Sequence, residues 1–153
     1  MPLILVTNDD GIRSPGLRAA AAALQDLGQV IIVAPLDQWS GAGRSMPSTT
    51  EGRIYPELVR VNGVVIRAYA VEGTPAQVVD HALLEILSRP PDLVVSGINY
   101  GENVGSGVTI SGTVGAALEA ASFGIPALAV SLQTPVEHHL GYSEEIDFRA
   151  AAH

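Results

Sequence analysis

The chain opens with LILVT at residues 3–7, which runs directly into NDDG at residues 8–11. The first five residues have the aliphatic and β-branched character of a buried strand, and the next four favour a turn. In open α/β sheets the ligand crevice lies beyond the carboxyl ends of the strands, which is where this order puts Asp9 and Asp10. Adjacent carboxylates repel each other unless a cation lies beside them, and a hard divalent cation suits them. On these residues alone, a metal site and an ordinary capped turn are equally good interpretations.

Helix and strand signals alternate along the rest of the chain. Helices are predicted from Ser14-Pro15 to Gly28, from Thr74-Pro75 to Pro90, and from Ser111 to Gly124. Strands are predicted over 29–34, 92–96 and 125–132, with a hairpin of 58–61 and 64–67 around an Asn-Gly turn. Near-continuous apolar strands separated by helices indicate an α/β fold with a doubly wound, mostly parallel sheet. We assign this core to residues 1–132, and we expect residues 133–153, which contain few apolar side chains, to begin a C-terminal segment that is cut short.

Composition narrows the possible functions. The 153 residues are 47% hydrophobic and 16% charged, which fits one compact domain. A net charge of −8 argues against a nucleic-acid polymer as partner, and no apolar run reaches the roughly 20 residues of a membrane helix. The absence of cysteine excludes disulfide and thiolate sites and makes the cytoplasm the expected location. All eight basic residues are arginine, so mechanisms that need a lysine, such as a Walker loop or a Schiff base, are excluded.

Two further loops at strand ends carry oxygen ligands of the same kind as the acid pair. Ser40 follows the second predicted strand, and Asn99 follows the strand at 92–96. Taken singly, each is better explained as satisfying local backbone groups in a glycine-rich loop. Parallel strands deliver their loops to one edge of the sheet, however, and the combined set of carboxylate, hydroxyl and amide oxygens suits magnesium, manganese or calcium.

A glycine-rich loop, residues 97–110, precedes the helix that starts at Ser111. Free N–H groups and the positive end of the helix dipole make such a start an anion site, although a surface loop with a capping serine is the alternative. A cation beside an anion site predicts metal-assisted hydrolysis of a phosphate ester, in which Asp9 or Asp10 orients or deprotonates the attacking water.

Other polar residues give weaker signals. We interpret His138-His139 as a solvated loop and His81 as structural, because neither pattern brings several ligands together. Arg13 and Arg44 are candidates for phosphate contact, with a solvated side chain as the simpler explanation. Trp39 either stacks on a base or anchors its own loop.

Five segments in order resemble the SurE (survival protein E) family of metal-dependent nucleotidases. They are VTNDDG at 6–11, AP at 34–35 with WSGAG at 39–43, GTPA at 73–76, VSGINYGENVG at 95–105 and SGTV at 111–114. The resemblance extends from Leu3 to about Ser131. One departure is Ile110, which stands where family members usually carry tyrosine or histidine.

The resemblance implies a Rossmann-like three-layer α/β/α core, one divalent metal ion such as magnesium or manganese, and removal of phosphate from nucleoside 5′- or 3′-monophosphates, with polyphosphate as a further substrate. It implies metal ligation by Asp9, Asp10, Ser40 and Asn99, the first two also catalytic. It implies substrate binding by Asn8, Gly43, Asn103, Ser111, Gly112 and Thr113. It also implies that the family's C-terminal region, which forms homodimers or homotetramers, lies beyond residue 153. A non-catalytic module that binds metal or nucleotide is the alternative function.

Overall fold

The computed structural model describes residues 1–139, 141–143 and 145–153. Six strands form one sheet in the order β3-β4-β2-β1-β5-β6. The strands are β1 (Leu3–Thr7), β2 (Gln29–Pro35), β3 (Ile54–Val61), β4 (Val64–Val71), β5 (Leu93–Tyr100) and β6 (Ala127–Leu132).

Helices connect most of these strands. They are α1 (Pro15–Leu24), α2 (Pro75–His81), α3 (Gly112–Ser122) and α4 (Arg149–Ala152), with a π-helical turn over Ala82–Ile86 and 3-10 turns over Gly105–Ile110 and Val136–His138. Thr74 caps α2 in a capping box with Gln77, as the Thr-Pro signal predicts. None of the helices in the described part of the chain has the length and apolar character needed to cross a membrane.

The sheet is mostly parallel, which confirms the predicted fold class. β1 pairs in parallel with β2 and β5, β2 with β4, and β5 with β6. β3 and β4 form the predicted antiparallel hairpin, in which Asn62 and Gly63 adopt φ values of 48° and 79°. Because the parallel strands run in one direction, the loops after β1, β2 and β5 meet at one edge of the sheet.

The core has three layers because side chains alternate across each strand. From β1, Ile4 and Val6 pack on the side of α1, whereas Leu3 and Leu5 pack on the side of α2 and α3. The apolar sides of the helices cover both faces of the sheet, which confirms the predicted Rossmann-like α/β/α arrangement.

Several element boundaries differ from those predicted: the hairpin strands are longer, the second helix ends at Ile86 with its π-helical turn, and β6 begins at Ala127. Helix α1 ends at Leu24 instead of Gly28, so Leu27 is 64% exposed. The amide of Gln29 donates to the carbonyl of Pro2 at 2.8 Å, and the helix has to end early for β2 to enter the sheet beside β1.

Strand β5 continues to Tyr100, so Asn99 lies at the end of a strand and pairs with Ser131. Gly97 permits this continuation, because a Cβ there would collide with the carbonyl of Val130 and its φ of 139° favours glycine.

The chain after β6 returns to the face covered by α1. Phe148 is 5% exposed and packs edge-on against Tyr100, with ring centroids 4.9 Å apart. The division of the chain at residue 132 stays a prediction.

Candidate functional site

The turn after β1, which carries Asp9 and Asp10, is stabilised by the side chain of Asn8. The Asn8 amide nitrogen donates to the carbonyl of Gly11 at 3.0 Å, and the Gly11 amide donates back to the Asn8 side-chain oxygen at 3.1 Å. Gly11 has a φ of 98°, which a residue with a Cβ rarely adopts. This closed turn holds Asp9 and Asp10, only 6% and 3% exposed, at the carboxyl edge of the sheet.

Asp9 is fixed by contacts with the start of α3. The Thr113 hydroxyl donates to Asp9 Oδ1 at 2.9 Å. A Cβ added to Gly112 would lie 2.8 Å from the Cβ of Asp9, so glycine is what lets the helix come this close. Burial, followed by the neighbouring Asp10 carboxylate, raises the pKa of Asp9 from 3.8 to about 7.

Asp10 is held by neutral donors. The Tyr100 amide donates to Asp10 Oδ2 at 3.0 Å, and the Gln38 side chain donates to Asp10 Oδ1 at 3.2 Å. Burial raises the pKa of Asp10, and these two hydrogen bonds oppose that rise. Both carboxyl groups therefore carry a cost of burial that a nearby cation would offset.

A cavity of about 360 Å³ opens beside the acid pair. Its lining includes all four predicted metal ligands and two of the predicted substrate residues, namely Asp9, Asp10, Ser40, Asn99, Asn103 and Ser111. The Asn99 amide nitrogen donates to the carbonyls of Tyr100 and Gly101 at 3.2 and 2.9 Å, so its side-chain oxygen is the atom left to act as a ligand. No cluster of three or more His, Cys, Asp or Glu side chains suited to a metal occurs among the residues that the structure describes, so any cation here would rely on neutral oxygens as well as the two acids.

Comparison with known proteins gives the family. The family model described as "Survival protein SurE" matches residues 4–153. The chain belongs to the SurE family. It is 56% identical over 128 residues to 5′-nucleotidase SurE of Methanopyrus kandleri, covering 84% of this chain and 48% of that protein. It is 49% identical over 150 residues to 5′-nucleotidase SurE of Thermococcus gammatolerans, covering 98% of this chain and 54% of that protein.

A solved structure agrees with this assignment. The chain matches the crystal structure of the SurE protein from Aquifex aeolicus with a TM-score of 0.75 and 38% identity, over 99% of this chain and 56% of that one. The chain spans about half the length of the curated relatives it matches. The resemblance and the fold expected from the sequence are both confirmed.

Four of the predicted substrate residues of this SurE-family chain are not among the residues that line the cavity. Asn8 is fully buried and uses both polar groups of its side chain on Gly11. Gly43 lies beneath the 3-10 turn, where its amide donates to the carbonyl of Ile110 at 2.8 Å. Gly112 and Thr113 contact Asp9. Their assignment to substrate stays a prediction, and in the structure they support residues that face the cavity.

The two other predicted substrate residues line the cavity, and the side chain of each is hydrogen-bonded to another residue of the protein. The Ser111 hydroxyl accepts from the amide of Val114 at 3.1 Å and so caps α3. The Asn103 side chain donates to Ser131 Oγ at 2.6 Å. The Ser111 hydroxyl is therefore engaged with the helix itself, which leaves the positive end of the α3 dipole to attract an anion.

Several residues near the acid pair give no signal in the sequence. Gln38 donates to Asp10 and also to the carbonyl of His139 at 2.9 Å, and the Tyr142 hydroxyl donates to the carbonyl of Asp10 at 2.8 Å. His139, which we interpreted as solvated, lines the cavity and lies against Gly101. These contacts join residues from 28 to 132 positions apart, so local pattern cannot reveal them. Arg44, a candidate for phosphate contact, instead pairs with Glu119.

Proposed function

We propose that this chain carries the catalytic core of a divalent-metal-dependent phosphohydrolase that releases phosphate from nucleoside 5′- and 3′-monophosphates, and from polyphosphate. The observation that carries the proposal is that Asp9, Asp10, Ser40 and Asn99 line one cavity beside the start of α3. The relatives that support it are named 5′-nucleotidase SurE.

The residues around the cavity fit one hard divalent cation. Asp9 and Asp10 are buried side by side, and the side-chain and amide donors found on them are neutral. A cation would offset both negative charges, and Ser40 and Asn99 would complete a set of oxygen ligands. Oxygen donors without histidine or cysteine favour magnesium or manganese over zinc.

The chain's own residues would orient the substrate and the attacking water. The cation, when bound, polarises a phosphoryl oxygen and lowers the pKa of a bound water. Thr113 orients Asp9, and the Tyr100 amide orients Asp10. Burial raises the pKa of the metal-free Asp9 to about 7, so a bound cation would be needed to keep this carboxyl ionised at neutral pH, and the ionised carboxylate would then orient the attacking water. The positive dipole end of α3 would attract the phosphate.

The test is release of inorganic phosphate from a panel of nucleoside monophosphates with manganese, magnesium or EDTA. We expect release that requires metal and is abolished by Asp9→Asn and by Asp10→Asn. Asp26→Asn is the matched control, because Asp26 is an exposed acid at the amino edge of the sheet. Activity retained in both site variants would refute the metal role. Tight nucleotide binding without release would instead favour a non-catalytic binding module.

Assembly and location form a further part of the proposal. We propose that the protein forms a homodimer or homotetramer in the cytoplasm. The family resemblance supports the assembly, and a sequence without cysteine supports the location. Light scattering of the protein would test the assembly.

A further inference from the structure

Ser40 lies in an exposed turn that is held from both sides. We name residues 36–46 the serine loop. On one side, the Trp39 amide donates to the carbonyl of Asp9 at 2.8 Å. On the other, the Gly43 amide donates to the carbonyl of Ile110 at 2.8 Å. Ser40 itself is exposed, so the position of its hydroxyl depends on these flanking contacts.

The far side of the serine loop is fastened to α3 by an ion pair. Arg44 Nε donates to Glu119 Oε2. The Glu119 side chain is 8% exposed and that of Arg44 is 46% exposed. A carboxylate that is nearly buried holds its cation more firmly than a surface acid does, because less water competes for it.

Backbone packing reinforces this attachment. Gly115 lies four residues before Glu119, on the same face of α3. A Cβ added to Gly115 would collide with the carbonyl of Gly43, so the loop rests directly on the helix backbone. The Thr74 hydroxyl also donates to the carbonyl of Ser45 at 2.7 Å, which joins the end of the loop to the start of α2.

We propose that Arg44 and Glu119 are positioning residues that hold the serine loop on α3, so that the Ser40 hydroxyl can complete the oxygen ligands around the aspartate pair. This inference rests on the proposed function for its metal, but the ion pair and the loop packing are independent of it. Arg44 then does not contact phosphate; it acts through Ser40.

A second acid explains why Arg44 is needed at this place. Asp80 of α2 faces Glu119, and burial followed by the charge of Glu119 raises the pKa of Asp80 to about 6. Arg44 and His81 act in the opposite direction on Asp80, and His81 is itself paired with Glu85 at 2.6 Å. Without Arg44, two neighbouring acids would lose their shared cation, and the loop would lose the side-chain part of its attachment to α3.

The first experiment measures manganese binding to Arg44→Met by calorimetry and by the fluorescence of Trp39, the single tryptophan in the chain and the neighbour of Ser40. We expect affinity to fall about fivefold or more, the usual size of coupling between linked sites. Arg44→Lys, which keeps the charge, should recover part of the loss. The matched control is Arg89→Met, because Arg89 is 47% exposed and pairs with Asp92 at 3.0 Å at the opposite edge of the sheet.

A double-mutant cycle separates positioning from a general effect on stability. If Arg44 acts through Ser40, Arg44→Met should weaken manganese binding in the wild type and have no further effect in a Ser40→Ala background. Equal losses in both backgrounds would overturn the proposal, as would unchanged affinity in Arg44→Met.

Hydrogen exchange distinguishes failure of this inference from failure of the proposed function. The Gly43 amide should exchange faster in Arg44→Met and in Glu119→Gln than in the wild type. Unchanged exchange would overturn the attachment of the loop, whatever the metal does. If the Gly43 amide exchanges faster but the wild-type protein binds no manganese, the proposed metal site is refuted, and the positioning role with it. The same conclusion follows if manganese still binds after both aspartates are replaced.

Discussion

Replacing Asp9 with asparagine should stabilise the metal-free protein at alkaline pH. The Asp9 carboxyl is 6% exposed beside Asp10, and its pKa is raised to about 7, first by burial and then by the Asp10 charge. Asparagine has nearly the same shape and can still accept the hydrogen bond that the Thr113 hydroxyl donates at 2.9 Å. The substitution therefore removes the buried charge and keeps the packing.

The direction and size follow from proton binding. Between pH 3.8 and about 7, the folded protein keeps the Asp9 proton that the unfolded chain has released. The free energy of unfolding therefore falls as pH rises through this range, and the full penalty is present above pH 7. A difference of about three pKa units corresponds to about 4 kcal/mol at 1.36 kcal/mol per unit. Part of this shift comes from the charge of Asp10. We therefore expect Asp9→Asn to raise the free energy of unfolding by about 2–4 kcal/mol at pH 8.

The assay is urea unfolding followed by circular dichroism in EDTA, at pH 5 and pH 8. The variant should exceed the wild type in stability at pH 8 and by a smaller margin at pH 5, while the exposed control Asp26→Asn should show no such trend. Manganese should then stabilise the wild type and not the variant, because only the wild type would bind it. A variant less stable than the wild type at pH 8 in EDTA would refute the claim that this carboxylate is buried at a cost.

Three further substitutions test neighbouring contacts. Thr113→Val removes a hydrogen bond to Asp9, so it should cost about 1 kcal/mol and move the pH midpoint of the Asp9 stability curve above its wild-type value. Gly112→Ala should cost about 1–3 kcal/mol and weaken manganese binding, because its Cβ would press on Asp9. Asp80→Asn should gain about 1 kcal/mol at pH 8 after allowance for solvent screening and nothing near pH 4, since the pKa of Asp80 is raised to about 6 and ionisation above that pH lowers stability.

Much of the fold could be predicted from local signals. The Ser-Pro and Thr-Pro pairs mark the starts of α1 and α2, and the Asn-Gly turn marks the hairpin. The end of α1 and the length of β5 could not be predicted in the same way. The first is set by how β2 joins β1, and the second by pairing with β6, and both are contacts between distant parts of the chain.

For the site, sequence predicts which loops meet and some of the side chains that line the cavity, but not all of them. The four predicted metal ligands line it because parallel strands deliver their loops to one edge. Asn8 adjoins Asp9 in sequence, yet its side chain hydrogen-bonds the backbone of Gly11 and so stabilises the turn. Gln38 and Tyr142 reach Asp10 from other loops, and no periodicity or motif predicts such contacts.

If phosphate binds as proposed, the start of α3 would have to accommodate the phosphate as well as the acid pair. Thr113 and Gly112 already bring the positive end of the helix against Asp9. A phosphate arriving at the same cavity would meet Asp9 and Asp10 as like charges, and the helix end alone supplies only about half a unit of positive charge. A divalent cation held by Asp9 and Asp10 would offset that repulsion, because it would attract the phosphate as well as the carboxylates. The close approach of α3 to the acid pair therefore makes sense in a site that binds its phosphate together with a metal, and it is unfavourable in one that binds phosphate alone.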